Sequence, residues 1–200
     1  MSSTVLYMSM SLDGFITGPN ESPDNALGDG GEVLHEWVFQ GTGDHPRDAV
    51  SGLGGVNRRV VDEFMETGAV IAGRGTFEPA GGWGGDHHDG VPIDILSRNA
   101  APAWAAAWPA VHYVSDLAAA VRDAKEAAGD KDVLVHGDGI TQRALADGLL
   151  DELGIHLVPV LLGEGRRLFD HLGVEQRRLE RVRVLEGEDG VTHLRYRVLR

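Results

Sequence analysis

Three short stretches hold the residues best suited to chemistry. In each, a glycine or serine stands beside an arginine or an acid, directly after an apolar run. In "DVLVHGDGITQRAL" (132–145) an apolar strand runs into Gly137, Asp138 and Gly139 and then into a helical pattern. A glycine turn at a helix N-terminus offers backbone amides to a phosphate, here those of Gly137, Asp138, Gly139, Ile140 and Thr141. Asp138 sets a carboxylate where an anion would sit, so its side chain is expected to point outward or to cap the helix. In "AVIAGRGTFEP" Gly73 and Gly75 bracket Arg74, and Thr76 stands where it could cap a short helix. In "ILSRNAAP" Ser97 and Arg98 follow another apolar run. Arginine suits bidentate pairing with phosphate. Taken singly, each stretch reads equally well as a tight strand–helix connection or a solvated arginine. Two arginines and a glycine turn at one end of a sheet are harder to explain in that way.

Other chemistries lack support. Gln142 stands where a Rossmann fingerprint requires a third small residue, and no Walker lysine follows the turn. No G-x-S-x-G elbow and no HExxH pair occurs. Asp86, His87, His88 and Asp89 invite a metal, but adjacent histidines in a glycine-rich loop read better as structural. The absence of cysteine removes thiolate zinc sites, disulfides and cysteine nucleophiles. A formal net charge of −13, with no basic run, argues against nucleic acid. The start "MSSTVLYMSMSLDG" lacks the basic region of a signal peptide, and no run approaches the ~20 apolar residues of a membrane span. A cytoplasmic protein without a membrane partner is expected.

The elements that must position these residues follow from periodicity. Strands are expected over 4–10, 69–73, 91–97, 111–115, 132–136 and 151–163, and helices over 32–39, 56–68, 117–129 and 141–150. Long glycine-rich loops separate them at 11–31 and 40–55; loops of that length are usually functional or mobile. Pro159 suggests an edge or a bulge in the 151–163 strand. Residues 181–199 carry a hairpin signal. The result is one α/β domain over 1–200, with a mostly parallel sheet covered on both faces and an antiparallel C-terminal hairpin. Ligands on such sheets bind at the carboxyl ends of strands, where the three stretches lie. Asp13, just past the first strand, is the leading polar residue for substrate contact, although an Asx-turn before Gly14 explains it as well. Trp37, Phe39 and Trp83 could wall a planar heterocycle or could be ordinary core.

In order and spacing, "SMSLDGFI", "VIAGRGTFE", "DILSR", "VHGDGITQRAL" and "DELGIHLVPVLLGEGRRLF" resemble the dihydrofolate reductase superfamily. The branch they most resemble is the bacterial proteins related to the reductase domain of the bifunctional riboflavin biosynthesis enzyme. The resemblance spans residues 5 to 170 and implies the three-layer dihydrofolate reductase-like fold. It also implies an NADPH-dependent oxidoreductase acting on a small planar substrate, and a homodimer. It gives Gly73, Arg74, Thr76, Ser97 and Arg98 to the adenosine phosphates and the 137–141 turn to the pyrophosphate. A nucleotide-binding module without turnover is the competing reading. Two departures bear on substrate. His136 stands where riboflavin-pathway reductases carry a glutamate before the glycine pair. Aligning Trp37 with the tryptophan of the pterin-binding helix puts Leu34 in place of the acid of dihydrofolate reductases. The apolar strand "IHLVPVLL" is the expected dimer surface, since a solvated edge would not tolerate it.

Overall fold

The computed structural model describes residues 2–40, 46–173 and 176–200, with the backbone alone for 46 and 47. Most of the 40–55 loop lies inside that range, but residues 41–45 lie outside the described residues. The chain forms β1 (Thr4–Ser11), β2 (Phe15–Thr17), α1 (Pro46–Ala49), α2 (Gly55–Met65), β3 (Ala69–Gly73), α3 (Arg74–Phe77), β4 (Ile93–Leu96) and β5 (Val111–Val114). It continues with α4 (Leu117–Ala128), β6 (Val133–His136), α5 (Asp138–Ala146), β7 (Glu152–Val158), β8 (Arg166–Arg167), β9 (Leu179–Glu186) and β10 (Thr192–Val198).

Eight strands make one sheet in the order β5-β4-β3-β6-β1-β7-β10-β9. Pairing is parallel from β5 to β7 and antiparallel through β10 and β9. β1 sits at the centre, and nearly every residue of it is buried, as a strand covered on both faces requires. Its even residues Leu6 and Met8 pack with Ile71, Val133 and Val135 under α4 and α5. Its odd residues Val5 and Tyr7 join Val70, Ala72, Ile93 and Ile95 on the opposite face. A third cluster seats α2, through Val60, Val61 and Met65, against Leu34, Trp37 and Val158.

Local chemistry explains the helix ends. Asp116 caps α4 by accepting from the Ala119 amide at 3.0 Å. α2 lacks a cap of its own; the carboxylate of Glu188, from the β9–β10 turn, accepts from the Val56 and Asn57 amides at 3.0 and 2.9 Å. A carboxylate there also complements the helix dipole.

Three expectations change. The 32–39 segment is a short 3₁₀ turn over Gly31–His35 rather than a regular helix; Leu34 and Trp37 are buried in the core, with Val33 and Val38 packed against it. β2, inside the 11–31 stretch that reads as loop, pairs with β8, to which the sequence assigned no element, in a separate two-stranded sheet too short to show a period. β7 is not an edge. It lies between β1 and β10 and ends at Val158, just before Pro159. Leu153, Ile155 and Val158 of β7 are buried within the chain, whereas Leu161, beyond its end, is exposed. Among the described residues no helix is long and apolar enough to cross a membrane.

Candidate functional site

Register brings the three stretches together. Gly73 pairs with Leu96 and Ala72 with His136, so Arg74, Ser97 and Gly137 leave neighbouring strands at the same level. Gly137 has φ 110 and ψ 163, a backbone conformation that is essentially glycine's alone. A Cβ on it would stand 2.2 Å from Thr76 Oγ1. The glycine turn is thus pressed against the α3 loop, and no side chain caps α5. The first-turn amides of a helix have no partner inside it. The Gly137–Asp138 peptide is trans.

Other side chains depart from the sequence expectation. Thr76 does not cap α3 but lies inside it, with Gly73 at the cap position. Asp138 neither caps α5 nor points outward alone; its Oδ1 is 3.4 Å from an Arg166 terminal nitrogen. Arg74 is committed to Glu78, with Nε to Oε1 at 2.7 Å and Nη2 to Oε2 at 3.0 Å. This i,i+4 pair lowers the Glu78 pKa and raises that of Arg74. Ser97 closes a small turn, donating to the Asn99 carbonyl and accepting from the Asn99 amide. Arg98 is exposed at the end of β4.

A cavity of about 430 Å³ adjoins this cradle and reaches Thr76 and His136. Its walls are chiefly apolar, among them Met8, Ile16, Leu27 and Val50. Phe39, Phe64 and Trp83 supply aromatic surface. Trp37 is not part of it: it is core, donating from its indole to Ser9 Oγ at 2.9 Å. Three histidines face the cavity: His35, His87 and His136. Burial lowers all three pKa values, those of His35 and His136 to about 4, so the imidazoles are neutral at pH 7. His87 and His88 meet through their Nδ1 atoms at 2.7 Å, and His88 Nε2 reaches Thr67. Among the described residues no group of three or more histidines and carboxylates is arranged to hold a metal.

Among the described residues the charged groups on the cavity wall are Glu21 and Arg166, which pair at 2.8 Å. Burial raises the Glu21 pKa; the opposing pull comes from Arg166 and then from a hydrogen bond with Thr17. Sequence reading missed Glu21, Arg166, His35 and His87 as site residues. Arg166 reaches the cavity only because β8 pairs with β2, and no period in the sequence announces that pairing.

Asp13 does not line the cavity. Its carboxylate accepts from Ser11 Oγ at 2.6 Å and from the Leu162 and Gly163 amides at 3.2 and 2.8 Å. These bonds clasp the loops that leave β1 and β7, and they hold its pKa below the ordinary 3.8, the Ser11 hydroxyl contributing most. A depressed carboxylate stabilises the fold above its unfolded value and loses that contribution as pH falls through the folded value. Asp13→Asn should therefore lower the melting temperature at pH 7. The gap to the native protein should close below about pH 3.8 in thermal melts. A gap that stays constant down to pH 3 would remove the clasp.

Comparison with known proteins places this geometry. Residues 96–193 match the family model of the RibD C-terminal domain. That span carries Arg98, the 137–141 turn and Arg166, and it bears out the likeness to the riboflavin enzyme's reductase domain. A solved structure assigned to riboflavin biosynthesis, from Shewanella sp. PV-4, is 20% identical and superposes with a TM-score of 0.72, covering 99% of each chain. A pyrimidine reductase-like protein of Corynebacterium diphtheriae is 14% identical, with a TM-score of 0.61 over 100% of this chain and 92% of its own. RibD of Acinetobacter baumannii is 19% identical with a TM-score of 0.62; this chain spans 59% of its length. At these identities the structural likeness establishes the dihydrofolate reductase-like fold. Comparison with curated proteins gave no match.

Proposed function

We propose that the protein is an NADPH-dependent reductase of a small planar compound. The observation that carries this reading is the cradle made where Gly137 meets Thr76, beside the open N-terminus of α5 and next to the cavity. Only a glycine fits there, and the first-turn amides of α5 suit a pyrophosphate. Gly139 keeps that approach open, since a Cβ on it would meet nothing within 4 Å. Gly73, Ser97 and Arg98 frame the neighbouring strand ends, with Arg98 as the exposed cation for a 2′-phosphate. Bound there, NADPH would supply the hydride. The chain's own part is to hold the cofactor at the strand ends, to present the substrate from the cavity, and to exclude water with its apolar wall.

NADPH should bind more tightly than NADH, and Arg98→Ala should remove most of that preference. A charge-assisted phosphate contact contributes about 1.5–3 kcal/mol, which is a tenfold or larger change in affinity. Arg74→Ala should cost less, because the guanidinium must first leave Glu78. Fluorescence titration of both cofactors checks this. Equal affinities in the native protein would remove the assignment of Arg98. A binding module without turnover would share the cradle, so NADPH oxidation across pterins, ribosylaminopyrimidines, quinones and small carbonyls separates the two readings.

A further inference from the structure

The cavity wall specifies what enters it. Apart from Glu21 and Arg166, its described lining is apolar or neutral; the guanidinium is shared through its terminal nitrogens, while its Nε is buried without a partner. Arg166 meets Glu21 at 2.8 Å and Asp138 at 3.4 Å, and it also donates to the Gly75 carbonyl at 3.3 Å. Two carboxylates therefore surround one cation, and a phosphate arriving there meets net negative charge. Moving an ionised group into such a wall without a partner is strongly disfavoured.

Aromatic surface is built in at some conformational expense. Trp83 sits in the run Gly81–Gly85, whose five residues all have φ between 51 and 84. A residue with a side chain enters the left-handed region only at a conformational cost. The flanking glycines make the turn possible: a Cβ on Gly82 or on Gly85 would come within 2.6 Å of the Trp108 ring. The turn sets the indole edge-on to His87, with centroids 4.5 Å apart, and to His136 at 5.8 Å. His35 and His136 face the cavity, and each has a buried Nδ1 without a hydrogen-bond partner. A neutral imidazole offers one donor and one acceptor, interchangeable by tautomer or ring flip.

We infer that this cavity takes an uncharged, phosphate-free planar ring compound, held between the Trp83 and Phe39 surfaces and hydrogen-bonded at one edge by the imidazoles of His35 and His136. The inference rests on the reductase reading for the cavity's role as substrate site, but the class of ligand follows from the wall itself. It sets this chain apart from any reductase whose substrate carries a phosphoribosyl group, since such a substrate would bring its charge to a cation already held by two carboxylates.

The test uses matched ligands that differ only in the phosphate: 1-naphthol against 1-naphthyl phosphate, and lumiflavin against FMN. Affinities are read by calorimetry on the full chain at pH 7.5 without cofactor. The neutral member of each pair should bind at least tenfold more tightly. Trp83→Phe should weaken the neutral ligands severalfold. Glu21→Gln, which releases Arg166 from one carboxylate, should shift selectivity severalfold toward the phosphate-bearing member. Equal or tighter binding of the phosphate-bearing members to the native protein would overturn the inference, as would selectivity unchanged in Glu21→Gln. NADPH titration on the same samples stands apart: loss of cofactor binding with ligand selectivity intact would count against the reductase reading and leave the ligand class standing.

Discussion

Dihydrofolate is expected to be reduced slowly or not at all, even where NADPH binds well. A pterin presents an amino-pyrimidine edge that needs a carboxylate to accept from it and to support protonation. The segment that would supply one presents Leu34, which is fully buried in the cluster under α2. Its cavity-facing neighbour is His35, whose pKa burial lowers to about 4, so at pH 7 it carries no charge. Glu32 and Glu36 are exposed. Glu21 does line the cavity, but its oxygens are engaged by Arg166 and Thr17. An unpaired buried donor costs about 1–3 kcal/mol, and absent acid assistance typically removes a further 10²–10⁴-fold in rate. Steady-state NADPH oxidation with dihydrofolate checks this. Turnover at ordinary enzyme rates would show that Glu21 leaves Arg166 to meet the pterin.

Gly137→Ala should be among the most damaging single substitutions in the chain. Two costs add. The residue's φ of 110 with ψ 163 lies in a region that costs a side-chain-bearing residue about 1–3 kcal/mol. The new methyl would also stand 2.2 Å from Thr76 Oγ1, an overlap that forces the α3 loop and the α5 turn apart. Overpacking of this kind adds typically 1–3 kcal/mol. We expect a destabilisation of about 2–6 kcal/mol in urea melts and NADPH affinity reduced beyond detection. The double variant Gly137→Ala with Thr76→Ala separates the terms, because removing the hydroxyl relieves the overlap and leaves the backbone strain. Recovery of about half the lost stability is the expected result. No recovery would mean that strain alone accounts for the loss, and the close approach of the two loops would carry no weight.

What the sequence determined by itself is the frame. Apolar runs of four to eight residues alternating with 3.6-period stretches fix the parallel sheet, and glycine or proline marks many of its joints. That signal is local, so β1, β3, β4, β5, β6 and α4 fall where periodicity puts them, while α5 begins at Asp138 and ends at Ala146, earlier at both ends than the expected 141–150. The glycine turn and the arginines after β3 and β4 were legible for the same reason: each sits one step past a strand end.

What only the tertiary structure decided is who partners whom. Arg74 reads as a free cation until Glu78, at the C-cap of the same short helix, is seen beside it. Arg166 is 145 residues from Glu21 and 28 from Asp138, and the three meet only because β8 folds back on β2. Pro159 marks an edge or a bulge in the sequence, yet the hairpin covers β7, since strand order is set by packing across the sheet. The neutrality of His35, His87 and His136 is equally a product of burial. Local pattern specifies backbone conformation, whereas charge state and ion pairing depend on groups brought together across the chain, and in this protein those groups shape the cavity.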